Sequence, residues 1–266
     1  MAVPLRSIAP LLAVLRERPL GVLSDIDGTL SPIVDRPGEA TVPEPVREAL
    51  RGLLAKGVRI GLISGRSLEM ARQMVGIDEA AYATEHGLRL WLEGQEEEAP
   101  GLAQYEVLAR QAEEELRPLC GEAAGVEIEN KGPLLAVHYR RAANRTAARA
   151  AILEAIGDSE AAASFRTHEG RMVVELRPPL AADKGTALET LAERLGLKGI
   201  VCLGDDVTDI DMFEAAARLR ESGTAVATVA VRSGEAAQAM TEAADYSVEG
   251  VEEVEWLLRE MARAIP

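Results

Sequence analysis

Five aspartates stand in two short clusters, Asp25-Ile26-Asp27-Gly28-Thr29-Leu30 and Gly204-Asp205-Asp206-Val207-Thr208-Asp209. Between them in the chain lie Ser64-Gly65-Arg66, Glu85-His86-Gly87 and Lys184-Gly185. Carboxylates are costly to bury unpaired, and five of them at one edge repel one another. A cation resolves that repulsion. Oxygen ligands without His or Cys point to a hard ion, and Mg2+ commonly takes one or two carboxylates while keeping waters for a phosphate. The D-x-D spacing lets one carboxylate face the ion while the second lies aside.

These residues need elements to position them. Leu20 to Ser24 reads as a buried strand, Val42 to Lys56 as an amphipathic helix opened by Pro43 and stopped by Gly57, and Val58 to Ile63 as the next strand. Ser67 to Val75 predicts a helix, Ala81 to Thr84 a short strand, Lys184 to Leu195 a helix and Gly199 to Leu203 a strand. Ala225 to Val231 and Tyr246 to Val248 complete the strands, and Val251 to Arg263 predicts a C-terminal helix. Apolar strands alternating with helices imply a doubly wound, Rossmann-like parallel sheet, an α/β core covered on both faces. In such sheets ligands gather at the carboxyl ends of the strands, and each cluster above follows a strand or opens a helix.

The middle of the chain differs. Glu93 to Ala99 is polar and reads as a loop, Leu102 to Leu116 and Ala142 to Ile156 as helices. Val126 to Glu129, Leu134 to His138 and Arg171 to Arg177 alternate with period two, as in a half-exposed antiparallel sheet. Residues 101–180 are therefore expected to form an α+β domain inserted into a core made of 1–100 and 181–266. On a period-two strand, Glu129 and Lys131 project to one face.

Composition narrows the classes. The 266 residues carry 29 Lys and Arg against 44 Asp and Glu, a net charge of −15, with 47% hydrophobic residues. That is ample for a core, and the sign argues against binding nucleic acid or an anionic membrane. Cys120 and Cys202 are far apart, as are His86, His138 and His168, so neither a zinc site nor a disulfide framework is expected. A reducing, cytoplasmic setting is expected. The run Ile8 to Leu15 is short and interrupted by Pro10, unlike a signal peptide, and no stretch reaches 18 uninterrupted apolar residues.

The ordered set Asp25-Ile26-Asp27-Gly28-Thr29-Leu30, Ser64, Lys184 and Gly204-Asp205-Asp206 resembles the four motifs of haloacid-dehalogenase-like phosphatases. A second layer is similar to trehalose-6-phosphate phosphatases. Lys131-Gly132-Pro133-Leu134-Leu135-Ala136-Val137-His138-Tyr139-Arg140 resembles that family's K-x6-H-Y-R stretch, and Val174-Glu175-Leu176-Arg177-Pro178 with Asp183-Lys184-Gly185-Thr186-Ala187-Leu188 its E-x-R-P and K-G-x-A-L elements. Gly204 to Phe213 resembles its G-D-D-x-T-D-E-D-x-F, with Ile210 where Glu is usual, and Glu85-His86-Gly87 resembles its E-N/x-H-G element.

The resemblance implies a Mg2+-dependent phosphatase for trehalose 6-phosphate. Asp25 would be the nucleophile and Asp27 the general acid and base. Ser64 and Lys184 would bind the transferring phosphoryl group. Asp25, the main-chain carbonyl of Asp27 and Asp205 would hold the metal, with Asp209 and less directly Asp206 behind them; one of the latter two is expected to act as a helix cap. Glu129, Lys131 and Glu175 match positions that hold the sugar, with Arg66, His86, Gly87, His138, Arg140 and Arg177 as further substrate-binding candidates. The inserted domain would serve as a cap that closes over the site. Mannosyl-3-phosphoglycerate or sucrose 6-phosphate are alternative substrates, and a non-catalytic sugar-phosphate-binding module is an alternative of another class. The sequence shows no glycosyltransferase domain, so any link to a trehalose-phosphate synthase is expected to be non-covalent.

Overall fold

The computed structural model describes residues 1–34, 37–119, 125–170, 172–232 and 237–266; Cys120 lies outside them. The chain folds as two compact units, one of residues 1–97 with 182–266 and one of residues 98–181.

The larger unit is built on a nine-stranded sheet. Its strands are β1 (Val3–Pro4), β2 (Leu20–Ser24), β3 (Arg59–Ile63), β4 (Ala81–Thr84), β5 (Arg89–Leu92), β6 (Gln95–Glu98), β11 (Gly199–Gly204), β12 (Ala225–Arg232) and β13 (Tyr246–Glu249), in the spatial order β1-β13-β12-β11-β2-β3-β4-β5-β6. Pairing is parallel from β1 through β4 and antiparallel between β4 and β5. Central strands alternate their side chains between two cores. Leu20, Val22, Val201, Leu203 and Val229 enter one; Leu23, Ile63, Ile200 and Cys202 enter the other. Both faces are buried, which is why these strands are continuous apolar runs.

Helices cover both faces, the short α1 (Leu12–Leu15) on the first and α8 (Ala237–Ala243) on the second among them. On the first, α2 (Glu44–Ala55) buries Val46, Ala49, Leu50 and Leu53, and α9 (Gly250–Ala264) buries Val254, Leu257, Leu258 and Met261. Each set has the i, i+3, i+4, i+7 spacing that makes one apolar stripe. On the second, α6 (Lys184–Arg194) supplies Leu188 and Leu191, and α7 (Ile210–Glu221) supplies Met212, Phe213 and Ala216. Removing one such leucine to alanine would cost roughly 2–5 kcal/mol. Helix α3 (Leu68–Val75) starts at its cap Ser67, whose hydroxyl accepts from the Met70 N–H.

The smaller unit has a four-stranded antiparallel sheet, in the order β7 (Glu127–Asn130), β8 (Leu135–His138), β10 (Val173–Arg177), β9 (Arg166–Gly170). Leu135, Val137, Val174 and Leu176 form one core with Ala109, Ala112 and Leu116 of α4 (Leu102–Leu116) and Ala148, Ile152 and Ile156 of α5 (Arg145–Asp158).

Three sequence expectations change. The polar stretch 93–99 is not a loop throughout, because Gln95–Glu98 forms edge strand β6. The inserted sheet has a strand, β9, that the sequence reading did not mark. Both strands expose every side chain, so no hydrophobic period betrays them; backbone pairing and exposed ion pairs such as Arg194–Glu97 and Arg149–Glu169 hold them. The second middle helix begins at Arg145 rather than Ala142, because Asn144 caps it by accepting from the Ala147 N–H at 3.0 Å.

Candidate active site

Strands β2 and β11 are parallel neighbours at the centre of the sheet, with Ser24 opposite Leu203. Their carboxyl ends therefore lie side by side. Asp25 follows one and Asp205 the other, and the Asp25 N–H donates to the Leu203 carbonyl at 3.0 Å. One carboxylate oxygen from each of Asp25, Asp205 and Asp209 falls within 4.8 Å of the others, and all three residues are buried. This is a compact all-oxygen set of the kind that suits a hard divalent cation.

Lys184 ties the set together. Its Nζ donates to Asp25 Oδ1 at 2.7 Å and to Asp209 Oδ1 at 2.5 Å. The lysine reaches this point from the first residue of α6, held by a capping box: the Asp183 carboxylate accepts from the Thr186 N–H and the Thr186 hydroxyl from the Asp183 N–H. Asp209 Oδ2 accepts from the N–H groups of Asp205 and Asp206 at 2.9 and 3.0 Å. Asp209 thus fixes the loop carrying Asp205 as well as facing the lysine. Burial pushes the Asp25 carboxyl well above its ordinary range; Lys184 opposes that shift, and Asp209, Asp205 and Asp27 add to it. Burial alone would lower the Lys184 ammonium, but Asp209 and Asp25 reverse this and raise it.

Asp27 stands apart from the three clustered carboxylates. Arg66 grips it in a fork, Nε to Oδ2 at 2.6 Å and Nη2 to Oδ1 at 2.7 Å. Gly28, at φ +84°, lets the loop pass against Asp205: a Cβ there would lie 2.0 Å from Asp205 Oδ2. Thr29 donates to Asp205 Oδ1 at 3.2 Å. Asp206 is exposed and caps the turn that follows, accepting from the Val207 N–H. The anticipated division between Asp206 and Asp209 thus has a structural form: Asp206 caps, Asp209 points inward.

Ser64, buried, follows β3, and its Oγ accepts from the Arg66 N–H at 3.2 Å. Against this loop lies the turn Glu85-His86-Gly87, with three successive left-handed φ values of +53°, +59° and +93°. Two non-glycine residues in that region signal stored strain. The turn is held by N–H groups of Glu85 and His86 donating to the carbonyls of Arg66 and Ser64, and by the Arg89 guanidinium on the buried Glu85 carboxylate at 2.9 Å. The His86 ring lies against Gly65, and a Cβ on Gly87 would come within 3.1 Å of the Asp183 carbonyl and Ala187 Cβ. The turn therefore touches both the Ser64 loop and the start of α6. The sequence reading missed the parts played by Thr29, Glu85 and Arg89; Thr29, inside the D-x-D-G-T string, and Glu85, opening Glu85-His86-Gly87, carried a signal, and Arg89 did not.

The smaller unit gathers a second set. Opposite residues of an antiparallel pair share a face, and the face away from α4 and α5 holds Glu129 and Lys131, His138, Glu175 and Arg177. His138 Nε2 lies 2.8 Å from Glu129 Oε2, and Arg177 donates to Glu175 Oε2 through Nε and Nη2 at 2.9 and 2.5 Å. Lys131 Nζ lies 3.8 Å from Glu129 and 3.4 Å from Glu175. Arg140 lies past the end of β8, its carbonyl accepting from Arg145 Nε.

Comparison with known proteins places the chain in a family. Residues 23–248 match the family model for trehalose-phosphatase. A trehalose-phosphate phosphatase from Mycobacterium ulcerans is 36% identical over 201 residues, 73% of this chain and 50% of that protein. A Mycobacterium tuberculosis protein named as an uncharacterized glycosyl hydrolase is 39% identical over 203 residues, 73% of this chain but 15% of its own length. The chain thus spans half or less of these relatives. Among solved structures, the C-terminal domain of Candida albicans trehalose-6-phosphate phosphatase superposes with a TM-score of 0.80 at 24% identity, covering 99% of this chain and 98% of that one. The C-terminal domain of the C. albicans trehalose synthase regulatory protein shares the fold, with a TM-score of 0.68 at 12% identity, covering 97% and 99%. With the family model spanning both aspartate clusters and everything between them, the chain belongs to the trehalose-phosphatase family.

Proposed function

We propose that this protein is a Mg2+-dependent phosphoric monoester hydrolase that converts trehalose 6-phosphate to trehalose and phosphate. The observation that carries the reading is Lys184 seated between Asp25 and Asp209, with Asp205 alongside, at the carboxyl ends of two adjacent strands. Asp25, Asp205 and Asp209, with the main-chain carbonyl of Asp27, are the oxygens that would hold Mg2+, which supplies positive charge to the phosphoryl group when bound.

Asp25 attacks phosphorus as its carboxylate, forming an aspartyl-phosphate while the bond from phosphorus to the sugar oxygen breaks. Asp27, protonated on an oxygen freed from the Arg66 fork, gives the sugar oxygen its proton. Asp27 then takes a proton from water, which attacks phosphorus and frees both phosphate and Asp25. Ser64 and Lys184 bind the phosphoryl oxygens, each such preorganised donor being worth about 3–4 kcal/mol of the barrier. Asp206 acts only as a cap. Arg66 orients Asp27, and His86 and Gly87 line the edge of the site. Glu129, Lys131 and Glu175 recognise the sugar hydroxyls, with His138, Arg140 and Arg177 supporting them. Among the described residues no helix is long and apolar enough to cross a membrane, and we place the enzyme in the cytoplasm with a non-covalent link to a trehalose-phosphate synthase as its one proposed protein partner.

Phosphate release from trehalose 6-phosphate, sucrose 6-phosphate, mannosyl-3-phosphoglycerate and glucose 6-phosphate, with Mg2+ and with EDTA, tests this. The expected result is metal-dependent turnover strongest on trehalose 6-phosphate and abolished by Asp25→Asn. Preference for another member overturns the sugar assignment. No turnover on any of them overturns the enzymatic one, in favour of a binding module on the fold shared with the C. albicans regulatory domain.

A further inference from the structure

The register of the smaller sheet places one residue where the proposed sugar-binding residues meet. Across the strand order β7-β8-β10-β9, one row reads Glu129, Ala136, Glu175, His168. All four project to the same face, away from the helices. Glu129 and Glu175 sit two strands apart, and strands are spaced roughly 4.8 Å. Their carboxylates nonetheless share one ammonium, Lys131 Nζ, at 3.8 and 3.4 Å. An ammonium that reaches both lies over the strand between them, which is β8. The β8 residue of that row is Ala136, and it is fully buried, although its face carries charged side chains. On the same face β8 presents His138 beside Ala136. The middle strand therefore sets a small residue beside a large one, with the lysine over the small position.

We propose that Ala136 is a specificity-determining residue of this enzyme. It makes no hydrogen bond through its side chain. Its small size leaves the volume that the Lys131 ammonium occupies, and so sets the spacing of Glu129 and Glu175 and the depth of the polar surface offered to a neutral, polyhydroxylated sugar. A branched side chain at this position displaces the ammonium and leaves two carboxylates facing each other without their shared cation. The proposal rests on the reading of this face as the sugar-recognition surface.

Product inhibition separates the two sets of residues, because trehalose reports on the sugar surface and inorganic phosphate on the core site. In Ala136→Val the inhibition constant for trehalose is expected to rise at least tenfold, with a matching rise in KM for trehalose 6-phosphate. The inhibition constant for phosphate stays within twofold. Ala136→Ser, which hardly changes the volume, stays within about threefold on both. In a Lys131→Ala background, Ala136→Val adds less than twofold, because the group it displaces is already gone; interaction of this kind is what a double-mutant cycle measures. A full additional loss there means that valine simply disrupts the unit, and overturns the proposal, as does a serine effect equal to that of valine or a parallel loss of phosphate binding. Glu175→Gln distinguishes the two levels. If it leaves trehalose inhibition unchanged, the sugar-surface reading fails. If it weakens trehalose while Ala136→Val does not, the inference about Ala136 alone fails.

Discussion

Lys184 is the residue on which the site's charge balance turns. It is buried with two carboxylates on its ammonium and a third nearby. Removing one member of a buried charged group leaves the others uncompensated, at a cost of about 3–5 kcal/mol. Lys184→Met is therefore expected to lower turnover by at least about 100-fold and to lower the melting temperature by several degrees. Steady-state kinetics and thermal unfolding check both, and a variant matching wild type in each would remove Lys184 from the site. Arg66 shows how the same residue type reads differently in sequence and in space. In the string Ser64-Gly65-Arg66 it reads as a cation available to substrate, whereas its fork is closed on Asp27. A side-chain partner 39 positions away leaves no local spacing to read.

Among the elements, the strained turn at 85–87 has the most to lose from a small change elsewhere. Gly65 lies beneath the His86 ring, and a Cβ there would meet ring atoms at 2.7 Å. Gly65→Ala must push the ring aside or shift the loop that carries Ser64 and Arg66. A fall in kcat/KM of roughly tenfold or more is expected, with a smaller loss of stability; kinetics beside a melting curve reads the difference, and unchanged kinetics would show that the ring has room to move. The sequence already marked the strands that bury both faces, because Leu20 to Ser24 and Gly199 to Leu203 are apolar throughout. Amphipathic α2 and α9 were equally legible from their stripes. What escaped were β6, with four exposed polar side chains, and β9, with four and a closing glycine. The ordered polar strings after each strand gave away the candidate core residues, but the turn that joins the Ser64 loop to α6 depends on φ values and the Glu85–Arg89 pair. The φ values leave no pattern, and the spacing of the pair reads as a helical one although no α-helix runs there.

For the whole molecule, one core residue links stability to alkaline pH. Tyr82, on β4, is fully buried and donates its hydroxyl proton to the Ile77 carbonyl at 2.7 Å. Burial pushes its phenol up to about 12. The folded pKa lies above the unfolded value near 10, so the folded state holds a proton that the unfolded chain releases. The stability from this group is complete below about pH 10 and is lost as pH rises toward 12, at up to about 1.4 kcal/mol per pH unit. Urea unfolding at pH 9, 10 and 11 is expected to show that decline, and Tyr82→Phe a shallower one; equal slopes would remove Tyr82 as its source.

The strand order also sets a timetable for synthesis. β2, apolar and buried on both faces, takes β3 on one side early but meets β11 on the other only when residues 199–204 have been made. At about 5–20 residues per second, that edge waits roughly 10–35 s on the ribosome, while the intervening unit is completed. The strand that delivers Asp25 is thus open along one side for most of the chain's production, so the nascent protein carries an unpaired apolar edge beside its candidate site.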